Sequence, residues 1–346
     1  MNNKFLVGVI TFLITISLII TCLNIFDSES KIDYSFERFF SKNKILIFQN
    51  RSEKINSDEY KISINSDNYI VGGDRKIIDN TNTLYKLYVE TFNFEKEKNI
   101  NIVLPSTANI LFCNKEKVIY TNQFKLYEFS TESKKITKIN LNNAKISSLK
   151  PLSITKSNFL CFAEVLKNNI YKTGFYIIDF KTGEIKLAKE LETNNSSDAA
   201  KNSLRYSGKF SLFNEVGLIS YCCDKFSKIY FFNTKGNFIK TITTEDNTPL
   251  PSVICNKADY TFYKRGSTWN TNMGLFIKGD KILVFSTVFK SINKMIIDEY
   301  SFNDNKYIQS YSFYYDGQTS LSLGLLYQKK NRLIISFENF FASFIF

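Results

Sequence analysis

The sequence contains no histidine, one tryptophan, four prolines and only six arginines among 346 residues. Without His there is no Ser-His-Asp or Cys-His nucleophile activation, no His-ligated zinc or non-haem iron, and no imidazole pH switch. Four Pro and 13 Gly exclude collagen-like and linker-type chains. A hydrophobic fraction of 44% is too high for a disordered chain, and the length suits one large β domain or two smaller ones.

Scarcity of Arg also decides how the charge is read. The chain carries 45 Lys+Arg against 33 Asp+Glu, a formal net charge of +12. Arg supplies the bidentate contacts that read phosphate and guanine, and it stands only at 38, 51, 75, 205, 265 and 332. The lysines are interleaved with acids, as in Glu95-Lys96-Glu97-Lys98, rather than gathered in a stripe. Nucleic-acid binding is therefore not expected.

Phe5 to Phe26 is an uncharged, mostly apolar run. At 1.5 Å per residue it spans roughly 33 Å, enough for a bilayer core. Lys4 precedes it and Asp27 and Glu29 follow, so the positive-inside rule puts residues 27–346 outside the cytoplasm. Three fates are compatible with the run: a retained anchor, a cleaved signal peptide, or lipidation at Cys22. Ile19-Ile20-Thr21-Cys22 resembles a bacterial lipobox, with Thr21 where that pattern prefers Gly, Ala or Ser. The other cysteines, 113, 161, 222, 223 and 255, show no C-x-x-C spacing. Buried free thiols are the expectation, and a Cys113–Cys161 bridge is the alternative.

Beyond residue 40 no amphipathic helix stands out. Short runs rich in Ile, Phe, Tyr and Val alternate with polar turns. A strand–turn–strand unit recurs around turn centres near 96, 132, 183, 236 and 304. The gaps of about 36 to 68 residues bracket the 40–50 of a propeller blade. The clearest copies are Tyr176–Leu191 and Tyr230–Thr243, whose turns carry Gly183 and Gly236, suited to positive φ. In the second copy Ile229 and Phe231 oppose Tyr230 and Phe232, so that strand is apolar on both faces and needs a cover on each. The spare strands near 44–49, 323–328, 332–337 and 340–346 make one more blade from the two ends.

The sequence therefore predicts an all-β chain with a six-bladed β-propeller of four-stranded blades over 43–346, its last blade closed by N- and C-terminal strands. A linker over 27–42 and a membrane anchor or signal segment over 1–26 precede it. Seven blades, or a pair of β-sandwiches, are the alternatives. Ile229–Thr243 and Tyr176–Ala188 resemble the blade hairpins of six-bladed NHL-like and TolB-like propellers. The layout resembles the anchored or lipoprotein propellers of Bacteroidetes. That resemblance implies a fold and an envelope location, and it brings no catalytic residues.

Motifs for chemistry are few. Gly266-Ser267-Thr268-Trp269 matches the end of a sialidase Asp-box, but Phe262 and Lys264 stand where that box needs Ser and Asp. Gly72-Gly73-Asp74 has no Gly-x-Gly-x-x-Gly context and reads as a turn. Glu164, Asp179, Asp224, Asp259 and Asp298 are carboxylates able to do acid–base work, with Asp179 and Asp298 expected at solvated hairpin positions. No cofactor is indicated, although Asp, Asn and carbonyl oxygens could build a Ca²⁺ site in the channel.

Topology is the better guide. Three interblade connections are long, 192–208, 244–272 and 314–322, and the fold places them on one face, where recognition commonly sits. They carry Arg205, Tyr206, Tyr263, Lys264, Arg265, Trp269, Tyr314, Tyr315 and Asp316, several of them types enriched in binding hot spots. The reading is a membrane-tethered, extracytoplasmic binding or scaffold module for a protein, peptide or glycan. The rival is a carboxylate- or Ca²⁺-dependent hydrolase or lyase of glycans or lactones.

Overall fold

The computed structural model describes residues 36–53, 60–64, 69–123, 125–142, 144–167, 170–191, 199–255, 261–264, 270–286, 294–314, 326–336 and 340–346, with Thr15 and Ser17. The apolar run over 5–26, Cys22 included, otherwise lies outside the described residues. Among the described residues no helix is long and apolar enough to cross a membrane.

Strand β1 (Ile47–Glu53) comes first in the chain but sits in the last blade. Blade 1 follows, with β2 (Tyr60–Ile64), β3 (Ile70–Ile77), β4 (Asn82–Glu90) and β5 (Lys96–Pro105). Blade 2 holds β6 (Asn109–Cys113), β7 (Lys117–Asn122), β8 (Lys125–Ser130) and β9 (Ile136–Ile139). In blade 3 are β10 (Lys145–Ser153), β11 (Asn158–Lys167), β12 (Ile170–Asp179) and β13 (Ile185–Glu190). A short helix α1 (Ala199–Arg205), absent from the sequence reading, precedes blade 4, made of β14 (Gly208–Phe213), β15 (Leu218–Cys223), β16 (Lys228–Asn233) and β17 (Phe238–Thr243). A two-stranded hairpin, β18 (Val253–Cys255) with β19 (Thr261–Tyr263), leads to blade 5: β20 (Asn272–Lys278), β21 (Lys281–Ser286), β22 (Lys294–Ser301) and β23 (Tyr307–Tyr314). Blade 6 has β24 (Leu326–Lys329), β25 (Arg332–Ser336) and β26 (Phe340–Ile345), and β1 pairs antiparallel with β26 as its fourth strand.

Six apolar cores, one per seam, show that these sheets form a six-bladed ring. Val71 and Ile100 of blade 1 meet Cys113 and Phe129 of blade 2, and Phe112 and Ile119 of blade 2 meet Phe159 and Ile178 of blade 3. Phe162 and Phe175 face Tyr221 and Phe232 across the next seam, and Phe231 and Ile242 face Ile282 and Tyr300 across the one after. Phe276 and Ile297 pack on Leu333 and Phe344. The ring closes where Ile70 and Tyr88 of blade 1 meet Tyr327, Ile334 and Phe341 of blade 6. Among the described residues five buried ones make this last core. Here Arg332 adds polar bonds, donating to the Phe92 carbonyl at 3.2 Å and to Asn93. Each blade's third strand thus buries both faces, which is why β16 reads apolar throughout.

A shared device turns strand three into strand four. In blades 1 to 5 a small polar residue ends strand three or directly follows it, and its side chain accepts from backbone N–H groups of the turn: Thr91, Ser130, Asp179, Asn233 and Ser301. Three or four residues on, one residue takes positive φ: Phe94 at 65°, Lys134 at 57°, Gly183 at 76°, Gly236 at 81° and Asn305 at 58°. Glycine at 183 has a second reason, because a Cβ there would lie 2.0 Å from the Asn140 carbonyl oxygen of blade 2.

Two sequence expectations change. Part of the presumed linker is docked: residues 39–41 run along the outer edge of blade 5, with a parallel bridge from Phe40 to Ser310. The Ser41 N–H donates to the Ser310 carbonyl at 2.8 Å, and the Ser310 N–H to the Phe39 carbonyl at 2.9 Å. Asp298 is not a solvated edge carboxylate but a residue only 2% exposed. It accepts from Arg38 at 2.9 and 3.1 Å and from the Ser310 hydroxyl at 2.6 Å. Arg38 also donates to Ser286 at 3.1 Å and lies 4.2 Å over the Phe36 ring. With side chains only 4% and 3% exposed, this pair pins the N-terminal segment into the blade.

Candidate functional site

The site is built at the end of blade 4 where the two longest connections meet. The β15–β16 turn, Asp224 to Ser227, joins both: the Asp224 N–H donates to the Ser207 carbonyl at 2.8 Å, and the Thr271 N–H donates to the Asp224 carbonyl at 2.8 Å. Helix α1 packs against β10, β12 and the β18–β19 hairpin. Tyr263 ties the connections together, its hydroxyl donating to the Leu204 carbonyl at 2.7 Å.

Charge is concentrated here. Lys150, from the inner strand of blade 3, reaches the Gly208 carbonyl at 3.2 Å and the Ser207 hydroxyl at 3.4 Å. Burial pushes its ammonium pKa down, with Asp224 opposing. Asp224 accepts from the Ser207 hydroxyl at 3.3 Å. Lys225 donates to Asn270 and lies 5.1 Å over the Tyr263 ring. Burial lowers the Lys225 ammonium, again against Asp224, and pushes the Tyr263 phenol up to about 12. Asp224 therefore acts on both Lys150 and Lys225 beside a half-buried tyrosine ring, while Asp246 accepts from Ser227 of the same turn at 2.6 Å.

The residues singled out from sequence divide accordingly. Arg205 ends α1 and donates to Asn202 at 3.3 Å, and Lys264 is exposed at the end of β19. These two and Tyr263 come together at this end. Tyr206 does not line the surface. It is a core residue 3% exposed, its ring 6.0 Å from Phe226 and its carbonyl accepting from Tyr221. Arg265, Trp269, Tyr315 and Asp316 lie outside the described residues. Tyr314 closes β23 opposite Lys294, and its side chain is not described. Sequence reading passed over Lys150, Lys225 and Asn270. The signal for Lys150 was a lone cation within Leu149-Lys150-Pro151-Leu152, on an inner strand.

The carboxylates considered for catalysis serve the fold where they are described. Glu164 is buried against Thr173, Asp179 caps its own turn, and Asp298 holds Arg38. Asp259 lies outside the described residues. Among the described residues no group of three or more His, Cys, Asp or Glu is placed to hold a metal ion. Cys113, Cys161, Cys222 and Cys223 are buried free thiols, and burial pushes the thiols of Cys161 and Cys222 well up, away from reactive thiolate.

On the opposite face a groove of about 970 Å³ lies between blades 2 and 3. Its lysines are largely spent on the protein. Lys117 bonds Glu128 at 3.2 Å and the Lys156 carbonyl at 2.5 Å, and Lys98 bonds the Lys115 carbonyl at 3.0 Å and Thr131 at 2.8 Å. That groove stitches blades 1 to 3 together.

No family profile matches the chain, and no curated protein matches it in sequence. Among solved structures it is similar to a member of the DUF4221 family from Bacteroides vulgatus, at 10% identity and a TM-score of 0.47, over 87% of this chain and 97% of that one. Virginiamycin B lyase from Staphylococcus aureus is similar at 12% identity and a TM-score of 0.39, over 87% and 99%. The β-propeller domain of the Trilobed protease from Pyrococcus furiosus follows at 12% and 0.38, over 81% and 79%. All three share little sequence with the chain, and the number of blades comes from its own sheets.

Proposed function

We propose that this protein is a membrane-tethered, extracytoplasmic binding or scaffold module that offers the blade 4 end of its propeller to an acidic group on a protein, peptide or glycan. The observation that carries this reading is that Arg205, Lys225 and Lys264 stand on connections locked to each other by Tyr263, with Lys150 and Asp224 beside the same β15–β16 turn. Cations held on a rigid scaffold steer an acidic partner and lose little entropy on binding it. The apolar run over 5–26 serves as the tether in this reading, retained or replaced by a lipid on Cys22, in an NHL-like or TolB-like propeller of a Bacteroidetes envelope. Arg265, Trp269, Tyr314, Tyr315 and Asp316, singled out from the sequence, remain part of the proposed binding set.

Crosslinking in intact cells, followed by extraction and mass spectrometry, tests it. A stoichiometric partner is expected, released by high salt and lost in Lys225→Ala, Arg265→Ala and Trp269→Ala. Recovery of the protein alone, or of a partner indifferent to all three substitutions, would sink the reading.

A further inference from the structure

The docked N-terminal segment crosses the outer rim from blade 5 to blade 6, and the side chains it leaves outside are unusual for a soluble surface. Phe39 is 66% exposed, Phe40 44%, Ile47 59% and Phe48 49%. Exposed cations Lys42, Lys44 and Arg51 are interleaved with them. Large apolar side chains among basic ones form the composition that enters the headgroup region of a bilayer, where rings meet acyl chains and ammonium and guanidinium groups meet lipid phosphates.

The chain's own connectivity says what covers this rim. Arg38 and Asp298 pin the segment to blade 5, and only residues 27–37 separate that pin from the end of the apolar run at Phe26. Eleven residues reach about 40 Å at most. With the run in a bilayer, the rim of blades 5 and 6 therefore cannot leave the neighbourhood of the lipid. We propose that this rim, centred on Phe39, Phe40, Ile47 and Phe48, lies in the interface of the membrane that holds the anchor, so that the propeller stands on edge with its blade 4 end facing sideways along the surface. This rests on the tethering reading above and adds an orientation to it.

The test uses the full chain reconstituted in vesicles of phosphatidylcholine and phosphatidylglycerol, with acyl chains brominated or not. Phe48→Trp and, separately, Phe39→Trp place a fluorophore on the rim, while Ile136→Trp places one on β9 of blade 2, across the ring. The wild type, with Trp269 alone, gives the background. At least a twofold loss of emission is expected in brominated vesicles for Trp at 48 or 39, with little change for Trp at 136. Equal quenching at all three positions, or none at 48 and 39, in protein that floats with the vesicles would overturn the orientation and leave the tether standing. Protein that does not float would overturn both.

Discussion

Arg38→Ala is expected to cost the fold about 3 kcal/mol. The side chains of Arg38 and Asp298 are 4% and 3% exposed, so deleting the guanidinium leaves a carboxylate that water cannot reach. Two bonds to Asp298 vanish, at 2.9 and 3.1 Å, and among the described residues the Ser310 hydroxyl at 2.6 Å is what remains to offset the charge. A charged hydrogen bond is worth about 1.5–3 kcal/mol, which sets the scale of the loss. The paired change Arg38→Met with Asp298→Asn removes both charges and should cost much less than the sum of its single variants, giving a coupling of about 2 kcal/mol. Urea unfolding of the full chain in mild detergent, followed by circular dichroism, measures all four corners of the cycle. An Arg38→Ala loss below about 1 kcal/mol, the worth of an exposed pair, would refute the account of a buried pin.

The turn device gives opposite signs at equivalent positions. Gly183→Ala should destabilise by about 2 kcal/mol, from positive φ and the Asn140 carbonyl together, whereas Lys134→Gly should stabilise by up to about 1 kcal/mol; thermal melts compare them. Two buried glutamates set opposing pH slopes. Burial raises the Glu90 carboxyl, with Lys96 opposing, so its ionisation weakens the fold progressively above about pH 4.5. Glu90→Gln should flatten that limb of the stability–pH curve and raise stability at neutral pH. In Glu299 burial is outweighed by bonds from Lys281, Tyr311 and Gln309, and the carboxyl is lowered. Its contribution is full above about pH 4.5 and is lost as pH falls through the folded value, so Glu299→Gln should remove part of the acid-side loss. Tyr263→Phe deletes the bond to the Leu204 carbonyl; a cost of about 1 kcal/mol and faster amide exchange in α1 are expected, and unchanged exchange would show that the connections do not depend on it.

The propeller was legible because its blades repeat a physical pattern, a doubly buried third strand followed by a polar turn. Units three and four were plainest, since Gly183 and Gly236 advertise the positive φ. The equivalent positions in blades 1 and 2 hold Phe94 and Lys134, which bear no such mark although their backbones do the same thing, and blade 5 has Asn305, a weaker mark than Gly. A better signal was the Ser, Thr, Asp or Asn closing strand three, visible in all five units. Tertiary partners were hidden. Nothing local tells that Arg38 pairs with Asp298, 260 positions away, or that Tyr206 turns inward while Arg205 beside it does not. The candidate site was read at the level of loops, because topology assigns loops to a face. Lys150 and Lys225 were missed because they belong to a blade strand and a tight turn.

Closure of blade 6 also has a consequence in time. Ile47 pairs with Ile345 and Glu53 with Phe340, so β1 leaves the ribosome long before its neighbour exists. At 5–20 residues per second the wait is about 15–60 s. Through that interval the exposed Phe39, Phe40 and Phe48 have no finished ring to sit on, and the docking of Arg38 must also await blade 5. Emerging blades can pack on one another as they appear, but the circle becomes a circle only with its last strand. Whatever chaperone or membrane surface shelters the early segment thus acts before the propeller has any binding face to offer.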